Sequence, residues 1–290
     1  MAKVWIEAAL NGPWGRERQP GMPLTVEEII AEGIAAAEAG AAIIHIHAYD
    51  PDTGRQRDEW PIYTRIIEGI RARADAIVYP TIPLAGSDYA GSADRRFGHT
   101  AELARRGLLE WTVVDPGSVS FVRFDELGGT APGFIYVNPL DDVRDGLRIA
   151  RQYGLHPSYA IYEPGFTRLG AALAAIAPKP PTPVYRLMFS DEFAWGFPPR
   201  PEYLDAHLTL LAETAPGAPW MVAGLGVDIR PLIAPAVERG GHVRVGLEDA
   251  PWRSELGNQQ WVDEAVRLVQ AAGGEPATAA EVRLTLREPG

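Results

Sequence analysis

Residues 25–48 read TVEEIIAEGIAAAEAGAAIIHIHA and combine one helix with one strand, separated by a single glycine. Thr25 followed by Glu28 forms a capping box, in which each side chain can bond the backbone amide of the other residue. The helix is predicted to run to about Ala39, and the β-rich run Ala42–Ala48 predicts the strand that follows it. Such an order is typical of α/β proteins with parallel strands, because a crossover helix returns the chain in the same direction.

The same alternation extends along the whole chain. Apolar runs predict seven further strands, at Val4–Leu10, Ile77–Tyr79, Trp111–Val114, Ser158–Tyr162, Val184–Phe189, Trp220–Ala223 and Val243–Val245. Each strand is followed by a predicted helix; one of these starts where Asn138 is expected to be the N-cap and Pro139 the first helical residue. Eight such units predict a single (β/α)8 TIM barrel over residues 1–290, with an open doubly wound sheet as the alternative.

Composition narrows the function classes. The chain has 290 residues, a net charge of -11 and no cysteine. An acidic protein lacks the basic surface that a nucleic-acid binder needs, and the absence of thiols excludes disulfides and a thiolate metal site. The sequence shows no signal peptide and no apolar run of transmembrane length, so a soluble cytoplasmic protein that does not bind a membrane is expected.

Two histidines end the predicted strand Ala42–Ala48. His45 and His47 are two residues apart, so both side chains point to the same face, which is the interior of a barrel. Two imidazoles that point together into a barrel mouth form half of a site for a divalent metal, with zinc the expected ion. The alternative is a pair of buried histidines that serve only as hydrogen-bonding core residues.

The last predicted strand ends in two adjacent carboxylates. In a closed barrel this last strand lies beside the first strand and two strands away from the one that carries the histidines. A carboxylate at its end can therefore complete the metal site. Glu248 is interpreted as the third ligand and Asp249 as a general base, although spacing alone allows the two to be exchanged or to cap the next helix. Arg244 on the same strand could orient Asp249 or hold a substrate carboxylate.

At these positions the chain resembles the β-keto acid cleavage enzymes, the family that includes 3-keto-5-aminohexanoate cleavage enzyme. The resemblance covers nearly the whole chain and lies in Ala8-Ala-Leu-Asn-Gly12, Gln19-Pro-Gly-Met-Pro-Leu-Thr25, His45-Ile-His47 with Asp50-Pro51, Val222-Ala-Gly-Leu-Gly226, Gly241-His-Val-Arg-Val-Gly-Leu-Glu-Asp249 and Pro276-Ala-Thr278. It implies a zinc-dependent (β/α)8 barrel that condenses a β-keto acid with acetyl-CoA to give acetoacetate and a new acyl-CoA. It also implies a homo-oligomer.

The resemblance also implies roles for individual residues. By position, His45, His47 and Glu248 match the zinc ligands, Asp249 the base and Arg244 its partner. Further residues are expected at the substrate, namely Asn11, Thr81 and Thr112. The chemistry fits, because a metal ion can act as a Lewis acid on a β-keto acid while a carboxylate removes the proton next to the carboxyl group.

The sequence also departs from its relatives around the expected pocket. Pro13-Trp14 stands where many relatives have a glutamate, and the strand Ser158–Tyr162 lacks their acidic residues. The segment Phe189–Phe197 replaces a loop rich in Gly and Pro. Trp14 and Trp195 therefore predict contact with a large apolar or aromatic group of the substrate, unless these side chains only pack the loop or an interface between subunits.

Two other functions remain open at this point. The chain could be a metal-dependent aldolase or hydrolase that cleaves carbon–carbon bonds without CoA, or a barrel that holds a metal and a ligand without turnover. A base beside the metal argues against the second of these. Among the other histidines, His242 is expected to be structural and His207, on a predicted helix beside Asp205, to be solvated.

Overall fold

The computed structural model describes residues 1–50, 52–84, 96–130 and 133–287. The strands of these ranges are β1 (Ala2–Val4), β2 (Ile6–Ala9), β3 (Ile43–Ile46), β4 (Ile77–Pro80), β5 (Trp111–Val113), β6 (Val119–Phe121), β7 (Phe134–Tyr136), β8 (His156–Ile161), β9 (Val184–Phe189), β10 (Trp220–Gly224), β11 (His242–Val245) and β12 (Gly274–Pro276). The α-helices are α1 (Gly15–Arg18), α2 (Val26–Ala39), α3 (Trp60–Arg71), α4 (Gly98–Arg105), α5 (Leu140–Tyr153), α6 (Pro164–Ala174), α7 (Pro201–Thr214), α8 (Ile233–Glu238), α9 (Asn258–Ala271) and α10 (Ala279–Arg287).

Eight of the strands form one parallel sheet. Their order is β4-β3-β2-β11-β10-β9-β8-β5, and the two end strands β4 and β5 contact each other. The sheet therefore curls into a nearly closed barrel, with helices packed between successive strands. This confirms the predicted TIM barrel over the open doubly wound sheet, and it brings the loops that follow the strands to one end of the barrel.

The first predicted strand, Val4–Leu10, is divided in the structure. β1 pairs with β12 outside the barrel, whereas β2 pairs with β3 and β11 within it. Trp5 stands between β1 and β2, is buried, and packs edge-on against Trp111. The backbone N–H of Trp5 donates to His242 Nδ1 at 3.1 Å, and the two rings stack at 3.9 Å, so His242 has the structural role that was expected.

Two N-caps were predicted from the sequence; the structure confirms the one at α2 and corrects the one at α5. At α2 the capping box is present, because the Glu28 N–H donates to the Thr25 hydroxyl and the Glu28 side chain accepts from the Thr25 N–H. At α5 the N-cap is Pro139 and not Asn138, since the Asn138 side chain accepts from Arg96 and donates to the Gly117 carbonyl instead. None of the helices in the described ranges has the length and apolar character needed to cross a membrane.

The expectation that His207 is solvated was wrong. The side chain lies on the inner face of α7 and is 1% exposed. Its ring packs edge-on between Phe189 at 5.5 Å and Phe197 at 5.2 Å. Neither ring nitrogen has a hydrogen-bond partner in the described part of the chain, so this is a buried neutral histidine.

A glycine positions the carboxylates that follow β11. Gly246 has a φ of 130°, and a Cβ at this residue would lie 2.3 Å from the carbonyl oxygen of Ala9. Only glycine allows this close approach of the end of β11 to the end of β2. The Glu248 N–H then donates to the same Ala9 carbonyl at 3.2 Å, which directs residues 247–249 across the mouth of the barrel.

Candidate metal centre and active site

The structure brings the three predicted metal ligands together at the end of β3 and β11. His45 Nε2 lies 3.5 Å from Glu248 Oε2, and His47 Nε2 lies 3.4 Å from Glu248 Oε1. One ligand atom from each residue falls within 4.8 Å of the others, and all three side chains are buried. In a tetrahedral zinc site, nitrogen and oxygen ligands about 2 Å from the ion lie about 3.3 Å apart. The observed separations therefore fit a shared divalent ion.

His47 is oriented by a chain of hydrogen bonds on its far side. Its Nδ1 lies 2.9 Å from Gln56 Oε1, and Gln56 Nε2 donates to Asp58 at 2.7 Å. Tyr63 donates to the other Asp58 oxygen at 2.6 Å. Because the Gln56 oxygen accepts, the proton of His47 lies on Nδ1, and the buried Nε2, which makes no hydrogen bond, is free to bind a metal.

Asn11 supports the same histidine through its backbone. Its Oδ1 accepts from the His47 N–H at 2.8 Å, and its Nδ2 donates to the carbonyls of His47 at 3.1 Å and Pro23 at 2.9 Å. The amide is fully buried in these contacts. The expected contact between Asn11 and substrate is therefore replaced by a positioning role, because every polar atom of the side chain is used inside the protein.

Arg244 points into the barrel and holds Asp249. Its Nε and Nη2 donate to the two Asp249 oxygens at 2.9 and 2.8 Å. Nη1 donates to Glu7 Oε1 at 3.0 Å, and Nη2 also lies 3.0 Å from Glu248 Oε2. Glu7 in turn accepts from Tyr79 at 2.7 Å. Of the two roles considered for Arg244, the geometry favours orienting Asp249, since its donors are already occupied by carboxylates of the protein.

These charges set the protonation of the site. Burial alone would raise the pKa of Glu248, but Arg244 and the two histidines outweigh it and the pKa is lowered. Burial raises the pKa of Asp249 to about 6 although Arg244 opposes the shift, and repulsion from Glu248 and Glu7 adds to it. Burial holds the pKa of His45 well below its usual range. Glu248 is thus an anion and His45 is neutral, the states that metal binding requires. Burial would lower the pKa of His47, but Glu248 and Gln56 outweigh it and the pKa is raised. Asp249 accepts a proton more readily than an ordinary aspartate.

A cavity of about 60 Å³ opens beside the metal ligands. Its lining includes His45, His47 and Glu248, and also Trp14 and Thr81, two of the residues expected at the substrate. Trp14 also donates from Nε1 to the Glu248 carbonyl at 3.1 Å. Gly12 leaves space here, because a Cβ at that residue would lie 2.6 Å from Glu248 Cγ.

Besides Asn11, two more residues predicted at the substrate lie outside the described lining of this cavity. Thr112 is on β5 next to Val113, which does line the cavity, so by strand alternation the Thr112 side chain faces the helices. Trp195 is 2% exposed and packs behind the wall, against Phe121, Tyr162 and Phe193. The expectation of direct substrate contact is corrected for both; Trp195 instead supports the aromatic residues that do reach the cavity.

The sequence did not point to two charged residues that the structure places in the cavity wall, Asp115 and Arg186. Asp115 comes two residues after β5, and Arg186 lies in the middle of β9. The sequence did hold an indication for Arg186. This arginine lies inside the apolar run Val184–Phe189, and a buried arginine is unusual unless it has a partner or a function. The cavity wall between them is aromatic and includes Phe121, Phe134, Tyr136 and Tyr162.

The fold and this site define a class: TIM barrels in which two histidines and a carboxylate meet where they could hold a divalent metal, with a buried aspartate–arginine pair beside them. A family model described as beta-keto acid cleavage enzyme matches residues 3–287. The chain belongs to the β-keto acid cleavage enzyme family, and the resemblance seen in the sequence is confirmed.

Characterised relatives align over almost the full chain. The chain is 30% identical to a 3-keto-5-aminohexanoate cleavage enzyme of Fusobacterium nucleatum, over 99% of this chain and 98% of the relative. It is 28% identical to a 3-oxoadipate:acetyl-CoA acetyltransferase of Cupriavidus necator, over 98% and 94%. It is 25% identical to a 3-dehydrocarnitine:acetyl-CoA trimethylamine transferase of Rhizobium meliloti, over 98% and 96%.

Solved structures support the fold. The binary complex of ObcA with oxaloacetate superimposes with a TM-score of 0.71 at 18% identity, covering 92% of this chain and 67% of that one. At this identity the likeness concerns the barrel architecture alone.

Proposed function

We propose that this chain catalyses the zinc-dependent condensation of a β-keto acid with acetyl-CoA, giving acetoacetate and the acyl-CoA of the substrate's remaining part. One observation carries the proposal: Glu248 meets His45 and His47 in the cavity wall, and the next residue, Asp249, is fixed by Arg244 directly behind that wall. The names of the relatives support it, since two of them pair acetyl-CoA with different keto compounds. The family chemistry is thus constant while the substrate varies.

The residues assign the steps as follows. A divalent ion held by His45, His47 and Glu248 would supply Lewis-acid polarisation of the substrate oxygens. Asp249 takes the proton from the carbon between the carboxylate and the ketone, and Arg244 keeps the Asp249 carboxylate in one orientation during the transfer. Thr81 and Trp14 border the space that the substrate occupies.

The bonds balance without a nucleophile from the protein. The deprotonated carbon attacks the acetyl carbon of acetyl-CoA, and the carbon–sulfur bond breaks to release the CoA thiolate. The thiolate then adds to the original ketone carbon, and the carbon–carbon bond next to it breaks. Asp249 returns its proton to the departing carbanion, which leaves as acetoacetate, and the acyl-CoA remains. This route agrees with the absence of cysteine from the chain.

Product formation with and without acetyl-CoA tests the proposal. Purified protein with zinc is incubated with a panel of β-keto acids, and acetoacetate and acyl-CoA are measured by mass spectrometry. Both products are expected only when acetyl-CoA is present. Carbon–carbon cleavage without acetyl-CoA would instead support the aldolase or hydrolase alternative, and ligand binding without any turnover would support a non-catalytic barrel.

Two variants separate the metal from the base. Asp249→Asn is expected to keep the metal and lose about 10³-fold in turnover, because the general base is removed. His45→Ala is expected to lose both metal and activity. Asp205→Asn on the surface and His156→Ala at the opposite end of the barrel are the matched controls. Wild-type protein that takes up no metal when zinc is supplied would refute the proposed mechanism.

We further propose that the chain works as one barrel domain, in the cytoplasm and as a homo-oligomer. Exposed apolar side chains near β7 support self-association, with Phe124, Leu127 and Ile135 each more than half exposed, at 56%, 65% and 63%. Light scattering of the purified protein tests the assembly. A monomer at micromolar concentration would contradict it.

A further inference from the structure

Arg186 is a buried arginine whose donors are largely unused. It points from β9 into the barrel, is 3% exposed and lines the cavity. Within the described ranges its one hydrogen bond runs from Nη2 to the Ser158 carbonyl at 3.4 Å, and its buried Nε has no partner. Burying a guanidinium with free donors is costly, so such an arginine implies a partner that is bound during function.

Asp115 does not supply that partner. Its Oδ1 lies 3.7 Å from Arg186 Nη2, beyond hydrogen-bonding distance. Both Asp115 oxygens are already used, because Oδ2 accepts from the Tyr136 hydroxyl at 2.6 Å and Oδ1 accepts from the Ala160 N–H at 2.8 Å. Asp115 therefore offsets the charge of Arg186 without saturating its donors, and the guanidinium remains free to bind an anion from the cavity.

Other arginines of the barrel show what a saturated site looks like. Arg244 donates to Asp249 and Glu7 through three nitrogens at 2.8–3.0 Å. Arg96, also buried, donates to Asp142, Asn138 and two backbone carbonyls. Each of these two arginines makes four polar contacts through all three nitrogens, whereas Arg186 makes one hydrogen bond to the described residues. The difference indicates that Arg186 is built for recognition and not for holding the barrel together.

The surroundings of Arg186 leave room for a short substituent. Its register partner on β8 is Ala160, whose small side chain also lines the cavity. Aromatic rings, including Phe121 and Tyr162, form the wall beside it. The lining of the one cavity thus combines the candidate metal ligands, aromatic side chains and a guanidinium. A guanidinium binds a carboxylate through two parallel hydrogen bonds.

We infer that Arg186 binds a second carboxylate on the substrate, so that the preferred substrate is a short β-keto dicarboxylic acid. The inference rests on the proposed function, in which the metal end of the cavity takes the oxygens of the β-keto acid group. Arg186 is then the residue that selects the substituent on the ketone carbon.

A pair of substrates of equal length tests the inference. The second-order rate constant kcat/KM is measured for 3-oxohexanedioate and for 3-oxohexanoate, which differ only in the terminal carboxylate. Wild type is expected to favour the diacid by about 10–100-fold, the range for a charged hydrogen bond at a buried site. Arg186→Met should abolish this preference by lowering the diacid rate while leaving the monoacid rate nearly unchanged.

Control variants keep the result interpretable. Arg186→Lys, which retains the charge but not the paired donors, should keep part of the preference. Leu187→Met, on the opposite face of the same strand, should keep all of it. An Arg186→Met protein with wild-type zinc content and monoacid turnover is folded, so its change in preference reports on recognition. An equal loss for both substrates, or a wild-type preference for the monoacid or for an amino-substituted analogue, would overturn the inference.

Binding separates this inference from the proposed reaction. The affinities of 3-hydroxyhexanedioate and 3-hydroxyhexanoate, which lack the ketone, are measured by calorimetry. A diacid preference that disappears in Arg186→Met supports the inference even if no β-keto acid is turned over. Equal affinities in wild type would overturn it even if acetoacetate is formed.

Discussion

The two sides of the barrel mouth use a buried arginine in opposite ways. On the β11 side, Arg244 is bonded to Asp249 and Glu7 at distances of 2.8–3.0 Å, next to the metal ligands. On the β9 side, Arg186 faces the cavity and makes one long hydrogen bond to the residues that the structure describes. The comparison shows that burial alone does not tell whether an arginine belongs to the scaffold. The number of N–H donors that are hydrogen-bonded within the protein distinguishes the two cases. The same substitution should therefore have different effects at Arg244 and at Arg186.

The largest difference is expected when each arginine is replaced by methionine. Arg244→Met leaves Glu7 and Asp249 buried without their partner, which costs about 3–5 kcal/mol of unfolding free energy and abolishes turnover. Arg186→Met leaves Asp115 with both of its hydrogen bonds, although Asp115 loses the positive charge 3.7 Å away, so the loss of stability should be smaller than for Arg244→Met. Urea denaturation of the two variants measures the contrast. Similar losses of stability would show that Arg186 is structural after all.

The metal side was predictable from sequence because its geometry is mostly local. His45 and His47 share a face through strand alternation, and Glu248 and Asp249 end a strand that a barrel must place near them. The exchange between Glu248 and Asp249 could not be decided from spacing. In the structure Arg244 donates two hydrogen bonds to Asp249, whereas Glu248, although also 3.0 Å from Arg244, lies beside the two histidines, which favours Glu248 as the ligand.

The β9 side was not predictable, because it depends on register between distant strands. Arg186 meets Ala160 through the pairing of β9 with β8, and Asp115 reaches both through the end of β5. The hairpin of β6 and β7, which brings Tyr136 to Asp115, was not expected from the sequence either. Thr112 was expected at the substrate from the family resemblance alone, which does not say to which face of β5 its side chain points.

The next largest effect is a change of the unfolding free energy with pH. It is expected from His207, which lies on α7 and packs against Phe189 of β9. Burial lowers the pKa of His207 from 6.5 to about 4. Between these values the unfolded chain binds the proton and the folded chain does not. The stability from neutral His207 is therefore complete above pH 6.5 and is lost as the pH falls toward 4, by about 3 kcal/mol.

His207→Phe isolates this contribution. The new ring fits between Phe189 and Phe197 and cannot be protonated. Thermal unfolding at pH 7 and pH 4.5 should show a smaller decrease for the variant than for wild type. Thr209→Val, which changes an exposed residue of the same helix that does not titrate, is the control. Equal decreases in wild type and His207→Phe would mean that His207 is not the group that titrates.

A smaller effect is expected on the metal side from Gln56. Gln56→Leu removes the hydrogen bond that fixes the Nδ1 proton of His47 and should weaken metal binding about 10–100-fold. Competition with a chromophoric chelator measures the affinity, and Thr53→Val in the same loop is the control. Unchanged affinity in Gln56→Leu would show that Asn11 and the strand alone hold His47 in position, and that the chain from Gln56 to Asp58 does not contribute.

The smallest contrast concerns the two threonines that were expected at the substrate. Thr81 lines the cavity, whereas Thr112 lies on the outer face of β5. Thr81→Val should therefore lower kcat/KM several-fold, since one hydroxyl near the substrate is worth about 1 kcal/mol. Thr112→Val should leave kcat/KM unchanged and alter only stability, because its hydroxyl makes a single 3.5 Å contact with the Val113 carbonyl. The reverse result would mean that β5 presents its other face to the cavity, and with it that Asp115 and Arg186 are not neighbours in the working enzyme.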